Sequence, residues 1–213
     1  MNKIITFVAF GNSLTAGFQS ASHGLLWHKL TPYSHFLGKI ADNFLKHLGK
    51  SEALKIIIRN KGISGELTSD MLLRFKRNVL SLNPNYVIIL GGSNDIGGGI
   101  PTKKIFNNLK VMLKWAIENG IEPIACTVPS ILGSNGFIQP RIELNQLIKH
   151  HCHNVNIRCV DIFTKTCDPE TKRLLGNYSN DGLHMNTLGY RIMADSIFIE
   201  AMKKILLIEL NDI

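Results

Sequence analysis

Ile4-Ile5-Thr6-Phe7-Val8-Ala9-Phe10, running directly into Gly11-Asn12-Ser13-Leu14-Thr15-Ala16-Gly17, is the stretch from which the fold is read. The first part is apolar but for one threonine and lacks the polar alternation of a half-exposed strand. It reads as a strand covered on both faces, the kind found in parallel sheets sandwiched between helices. The second part is rich in glycine and small polar residues, so the strand ends there and hands over to a turn.

Four further runs repeat the pattern: Leu54–Ile58, Tyr86–Leu90, and the shorter stretches Ile124–Val128 and Val155–Val160. Between them lie segments of helical period, at Tyr33–Leu48, Gly65–Leu80, Pro140–His151 and Thr187 to about Leu207. Another opens at Pro101, which suits a first helical turn. There Ile105, Leu109, Met112, Leu113, Ala116 and Ile117 follow steps of three and four, and Gly120 ends the run. Strand alternating with helix along the whole chain predicts a parallel α/β sheet with helices on both faces. Without an internal repeat, low-complexity tract or linker, the 213 residues read as one domain, 1–213.

Composition narrows the function classes. A chain 45% hydrophobic and 19% charged buries a core and is not disordered. No apolar run approaches the length that spans a membrane. Ile4–Phe10 leads into Gly11-Asn12-Ser13 rather than a small-residue cleavage site, so the expectation is a cytoplasmic protein. Cys126, Cys152, Cys159 and Cys167 include no C-x-x-C pair and are expected to be free thiols. The net charge of +8 raises the question of a polyanion partner. The basic residues are dispersed, however, and the groups Arg74-Phe75-Lys76-Arg77, Lys103-Lys104, Lys172-Arg173 and Lys203-Lys204 read as solvated faces, without a specific nucleic-acid partner. His150-His151-Cys152-His153 has no paired ligand spacing, so no metal and no other cofactor is expected.

In an open α/β sheet the ligand sits beyond the carboxyl ends of the strands. The loops to search are therefore Gly11–Gly17, Asn60–Gly65, Gly91-Gly92-Ser93-Asn94-Asp95 and, before the last helix, Asp181-Gly182-Leu183-His184. A serine hydroxyl becomes a nucleophile when a base takes its proton and a third group orients that base. Ser13, His184 and Asp181 are residues of those three types. Developing negative charge needs donors, and the Ser13 N–H, the Gly62 N–H and the Asn94 side-chain amide supply them. Asp95 is a loop-supporting residue in this reading.

Taken together and in order, these four loops resemble the blocks of the SGNH hydrolases, the GDSL esterase/lipase family. Gly11-Asn12-Ser13-Leu14 is similar to the nucleophile block, Gly62 to the second block's glycine, Gly92-Ser93-Asn94-Asp95 to G-x-N-D, and Asp181-Gly182-Leu183-His184 to D-x-x-H. The resemblance runs from residue 11 to 184. It implies a three-layer α/β/α, flavodoxin-like fold with five parallel strands in the order 2-1-3-4-5. It also implies a serine hydrolase acting on acyl esters or thioesters, with Ser13, Asp181 and His184 as triad and Ser13, Gly62 and Asn94 as oxyanion hole. Two positions depart from the family: Asn12 replaces its aspartate, and Met185 follows the histidine where many members carry proline.

The partner expected is a small-molecule ester or acyl substrate. Carbohydrate deacetylation, lysophospholipid hydrolysis, or a binding module for an anionic ligand remain alternatives on the same loops. The segments Phe18–Pro32, with Leu25, Leu26 and Trp27, and Pro129–Phe137 are where substrate choice is expected to lie.

Overall fold

The computed structural model describes residues 3–21 and 29–212. The central sheet has five strands: β1 (Lys3–Gly11), β2 (Leu54–Gly62), β3 (Tyr86–Leu90), β4 (Glu122–Cys126) and β5 (Arg158–Val160). They are all parallel and lie in the order β2-β1-β3-β4-β5, as the resemblance implies. In β1, Ile5, Phe7 and Ala9 enter one core while Val8 and Phe10 enter the other. In β3, Tyr86, Ile88 and Leu90 separate in the same way from Val87 and Ile89. This two-sided burial explains the unbroken apolar runs in the sequence.

One face is covered by α2 (Tyr33–His47), α8 (Thr187–Ile197) and α9 (Lys203–Asn211), the last two joined through a π-helical turn at Phe198–Met202. The other is covered by α3 (Thr68–Asn78), α5 (Thr102–Glu118) and α6 (Ile138–Asn154). Shorter helices, α1 (Ser13–Ala16), α4 (Ser93–Gly97) and α7 (Ile162–Thr166), follow β1, β3 and β5. Among the described residues no helix is long and apolar enough to cross a membrane, and all four cysteines are free.

Three differences from the sequence reading have physical causes. β5 is confined to Arg158–Val160 because α6 runs on to Asn154 and Asn156 takes a left-handed φ of 56°. The third helix begins at Thr68 rather than Gly65. Its first N–H is taken by the Asp95 carboxylate, both oxygens lying 3.0 Å from Thr68 N, and no local pattern announces a cap from so far away. Third, Arg74 is not part of a solvated face: it is buried, while Lys76 and Arg77 beside it are exposed.

The registers decide where the loops emerge. Gly11 pairs with Gly62 on one side and Leu90 on the other, so β1, β2 and β3 end level. The chain beyond β4 is held differently. Asn145 of α6, buried at 3% exposure, accepts from Val128 N at 2.7 Å and donates to Val128 O at 2.9 Å. Asn145→Ala would leave both backbone groups buried without partners. It is expected to lower the unfolding free energy by about 2–4 kcal/mol, read as a shifted urea midpoint at unchanged slope.

Candidate active site

Ser13 opens α1 directly after β1. The side chain of Asn12 caps the helix, accepting from Leu14 N at 3.2 Å, while the Asn12 amide nitrogen is buried without a partner among the described residues. The asparagine thus keeps the capping acceptor of the family's aspartate and adds a donor that goes unused. Ser13 is 5% exposed, and its hydroxyl and N–H make no hydrogen bond to a described group.

Asp181 and His184 share a turn before α8. Asp181 Oδ2 lies 2.8 Å from His184 Nδ1, and Oδ1 accepts from the N–H groups of Leu183 (2.9 Å) and His184 (2.7 Å). A third partner comes from the other end of the chain, where the Ser20 hydroxyl donates to Asp181 Oδ2. Partial burial pushes the Asp181 carboxyl up. The hydrogen bonds from Ser20, His184 and the Leu183 N–H outweigh that and hold it well below the usual carboxylate range. Asp181 is therefore an anion at every working pH.

The segment after α1 builds the remaining wall around the imidazole. Phe18–Gln19 pairs antiparallel with Lys29–Leu30. The Phe18 ring meets the His184 ring edge-on at 4.6 Å, the Phe18 carbonyl accepts from the Tyr190 hydroxyl at 2.6 Å, and Gln19 accepts from Thr187 Oγ1 at 3.0 Å. Part of Phe18–Pro32 thus touches the acid–base pair. Leu25, Leu26 and Trp27, singled out in the sequence, lie outside the described residues.

Asn94 donates one amide hydrogen to Glu66 O at 2.8 Å, which fixes the side chain; its second hydrogen has no partner among the described residues. Gly62 is the last residue of β2. Its N–H donates to Asn60 Oδ1 at 2.9 Å, and Asn60 is itself anchored on Thr15 O and Ser34 Oγ. A Cβ at Gly62 would stand 2.1 Å from Ala16 N, so glycine is needed there for close packing against α1. Gly65, three residues on at φ +84°, has an N–H without a described partner and lines a cavity of about 520 Å³ together with Asn94, Asp181 and Leu183. The late start of α3 is what leaves Gly65 to Leu67 free to form this wall.

The Pro129–Phe137 segment supplies the opposite wall through Ile131, Gly133 and Phe137. Arg141 stands behind it at 2% exposure, donating to Pro129 O (3.1 Å), Phe137 O (2.9 Å) and Ser93 Oγ (3.0 Å). Burial lowers its pKa to about 10, still well above neutrality. Asp95 accepts from Thr68 N and Oγ1 as a loop support. The histidines around Cys152 face separate neighbours: His151 packs on Phe106 and His150 pairs with Asn154.

A family model, the GDSL-like Lipase/Acylhydrolase family, matches residues 9–192. The chain belongs to that family. It is an esterase- or lipase-type acyl hydrolase, as membership of the GDSL-like family entails. Among solved structures it is similar to a GDSL-like lipase from Bacteroides thetaiotaomicron, with 26% identity and a TM-score of 0.69 over 93% of this chain and 88% of that one. It is also similar to an acetylxylan esterase from Geobacillus stearothermophilus, with 19% identity and a TM-score of 0.72 over 93% and 94%, a likeness of fold alone. An uncharacterized lipoprotein of Bacillus subtilis, YqeF, is 34% identical over 102 residues; the match spans 45% of this chain and 42% of that protein.

Ser20, Gly65, Arg74 and Arg141 are the residues the sequence reading missed or placed otherwise. Each acts through a partner distant in sequence or through a backbone group, which spacing does not reveal. The Asp181 geometry gives a prediction. Its folded pKa is depressed, so its stabilising contribution is complete above the unfolded carboxylate value of about 3.9 and lost as pH falls through the folded value. Urea midpoints of wild type and Asp181→Asn should differ at pH 7, and the difference should shrink steadily below about pH 4.

Proposed function

We propose that this hydrolase cleaves carboxylic esters or thioesters through an acyl-enzyme intermediate formed on Ser13. The observation that carries this reading is the 2.8 Å contact between Asp181 Oδ2 and His184 Nδ1, in a carboxylate environment that keeps Asp181 charged. A fixed anion at Nδ1 holds that nitrogen as the donor and leaves Nε2 as the base.

Ser13 Oγ attacks the acyl carbonyl and its proton passes to His184 Nε2. The imidazolium so formed is stabilised by Asp181. The oxyanion of the tetrahedral intermediate accepts from Ser13 N–H, from the free hydrogen of the Asn94 amide and from a backbone N–H of the loop after β2. Gly65 suits that last role better than Gly62, because the Gly62 N–H is already given to Asn60. Collapse expels the alcohol or thiol with the proton from His184. Water, deprotonated by the same imidazole, then releases the acid and restores Ser13.

The cavity bears on the substrate. Leu67, Ile131, Phe137 and Leu183 give it apolar walls beside Asn94, which suits an acyl chain longer than acetyl. Each methylene buried there is worth about 0.8 kcal/mol. Hydrolysis of nitrophenyl hexanoate is expected to exceed that of the acetate about tenfold or more in kcat/KM. An acetate preference would favour a deacetylase instead. Ser13→Ala is expected to abolish turnover of every ester and labelling by a fluorophosphonate; a Ser13→Ala protein that kept wild-type turnover would rule the mechanism out.

A further inference from the structure

Arg74 and Glu66 form an ion pair that the mechanism above does not use. Both are largely withdrawn from water, with side-chain exposures of 7% and 12%. Arg74 Nε lies 2.6 and 2.8 Å from the two Glu66 oxygens, and Nη2 lies 2.5 Å from Oε2. Two further donors go to backbone: Nη1 to Lys61 O and Nη2 to Gly11 O, each at 3.0 Å. The guanidinium carbon lies over the Phe10 ring, 4.2 Å from its centre, and Phe10 is itself wedged edge-on against Phe75.

Buried ion pairs are expensive to desolvate, and apolar residues of like volume commonly stabilise as well. The choice of partners here accounts for the pair in another way. Gly11 O lies two residues before Ser13. Lys61 O belongs to the peptide that starts the Gly62–Gly65 turn. Glu66 lends its own carbonyl to the Asn94 amide, 2.8 Å away. One planar fork therefore touches the chain next to all three proposed oxyanion donors. A lysine, with its single ammonium, cannot reach two carbonyls and both carboxylate oxygens in fixed directions.

We propose that the Arg74–Glu66 pair is the positioning device of the oxyanion site, registering the Ser13 loop, the Gly65 loop and the Asn94 amide against one another. The inference rests on the preceding assignment of those donors. Neither residue touches substrate. Their effect is on where the donors stand when charge develops on the carbonyl oxygen, so it falls on kcat and not on substrate binding.

The test uses Arg74→Lys and Glu66→Gln in the full chain, with active sites counted by the endpoint of fluorophosphonate labelling. Both variants are expected to lose about 10- to 100-fold in kcat per labelled site, the range set by donor misplacement on the order of 1 Å, with KM within about twofold. Affinity for a phenylboronic acid, whose tetrahedral adduct puts an oxygen among the donors, should fall in parallel. If Arg74→Lys does not fold, the near-isosteric Glu66→Gln carries the test alone. A kcat per labelled site within about twofold of wild type overturns the proposal, even if the melting temperature drops. So does a loss confined to KM. Activity surviving in Ser13→Ala would instead overturn the assignment of the nucleophile, so the two failures are distinguishable.

Discussion

Gly11 is paired on both sides, to Gly62 across one ladder and to Leu90 across the other, and this double register governs everything at the carboxyl edge of the sheet. Parallel strands have a side-chain period of two, so a slip by one residue would exchange Phe7 and Ala9 with Val8 and Phe10 between two filled cores. The interior cannot accept that exchange, and the register is fixed by packing. The chemistry then inherits a common starting plane. Three loops leave it at the same height, and short helices follow two of them within a few residues, which limits how far Ser13 and Asn94 can drift apart.

Polar residues buried around that edge do a second job. Asp95 binds the start of α3, Asn145 binds the backbone after β4, Arg141 binds two carbonyls of the 129–137 segment and Ser93, and Arg74 binds the ends of β1 and β2. Each of these side chains ties down main-chain groups at the carboxyl edge of the sheet or in the loops that leave it. Loops that would otherwise be solvated and mobile become part of the folded scaffold. The apolar cores set the strands, and this polar layer sets the loops.

The extent to which the sequence could be read follows the same division. The runs at Ile4–Phe10 and Tyr86–Leu90 were legible because burial on both faces leaves an unmistakable apolar signature, and the five-stranded order followed from the family likeness. The contact between Asp181 and His184 was legible because they sit three residues apart in one turn. That the Gly62 N–H is engaged and the Gly65 N–H has no described partner was not legible, since both are glycines of one loop. Arg74 looked like its neighbours Lys76 and Arg77. Its burial depends on where α3 starts, and that start depends on Asp95 in another loop. Ser20 gave no signal at all, because its partner Asp181 lies at the far end of the chain.

That last contact has a consequence for how the molecule comes into being. Ser20 and Asp181 are separated by 161 positions, so Asp181 and His184 are made long after Phe18 and Ser20 during synthesis. A chain emerging from the ribosome can build β1 to β4 while Phe18 and Ser20 still have neither His184 nor Asp181 beside them. The cost of closing so long a separation delays this contact relative to the local ones. The Ser20–Asp181 contact is therefore a late event, and it reports that segments 161 residues apart have found each other.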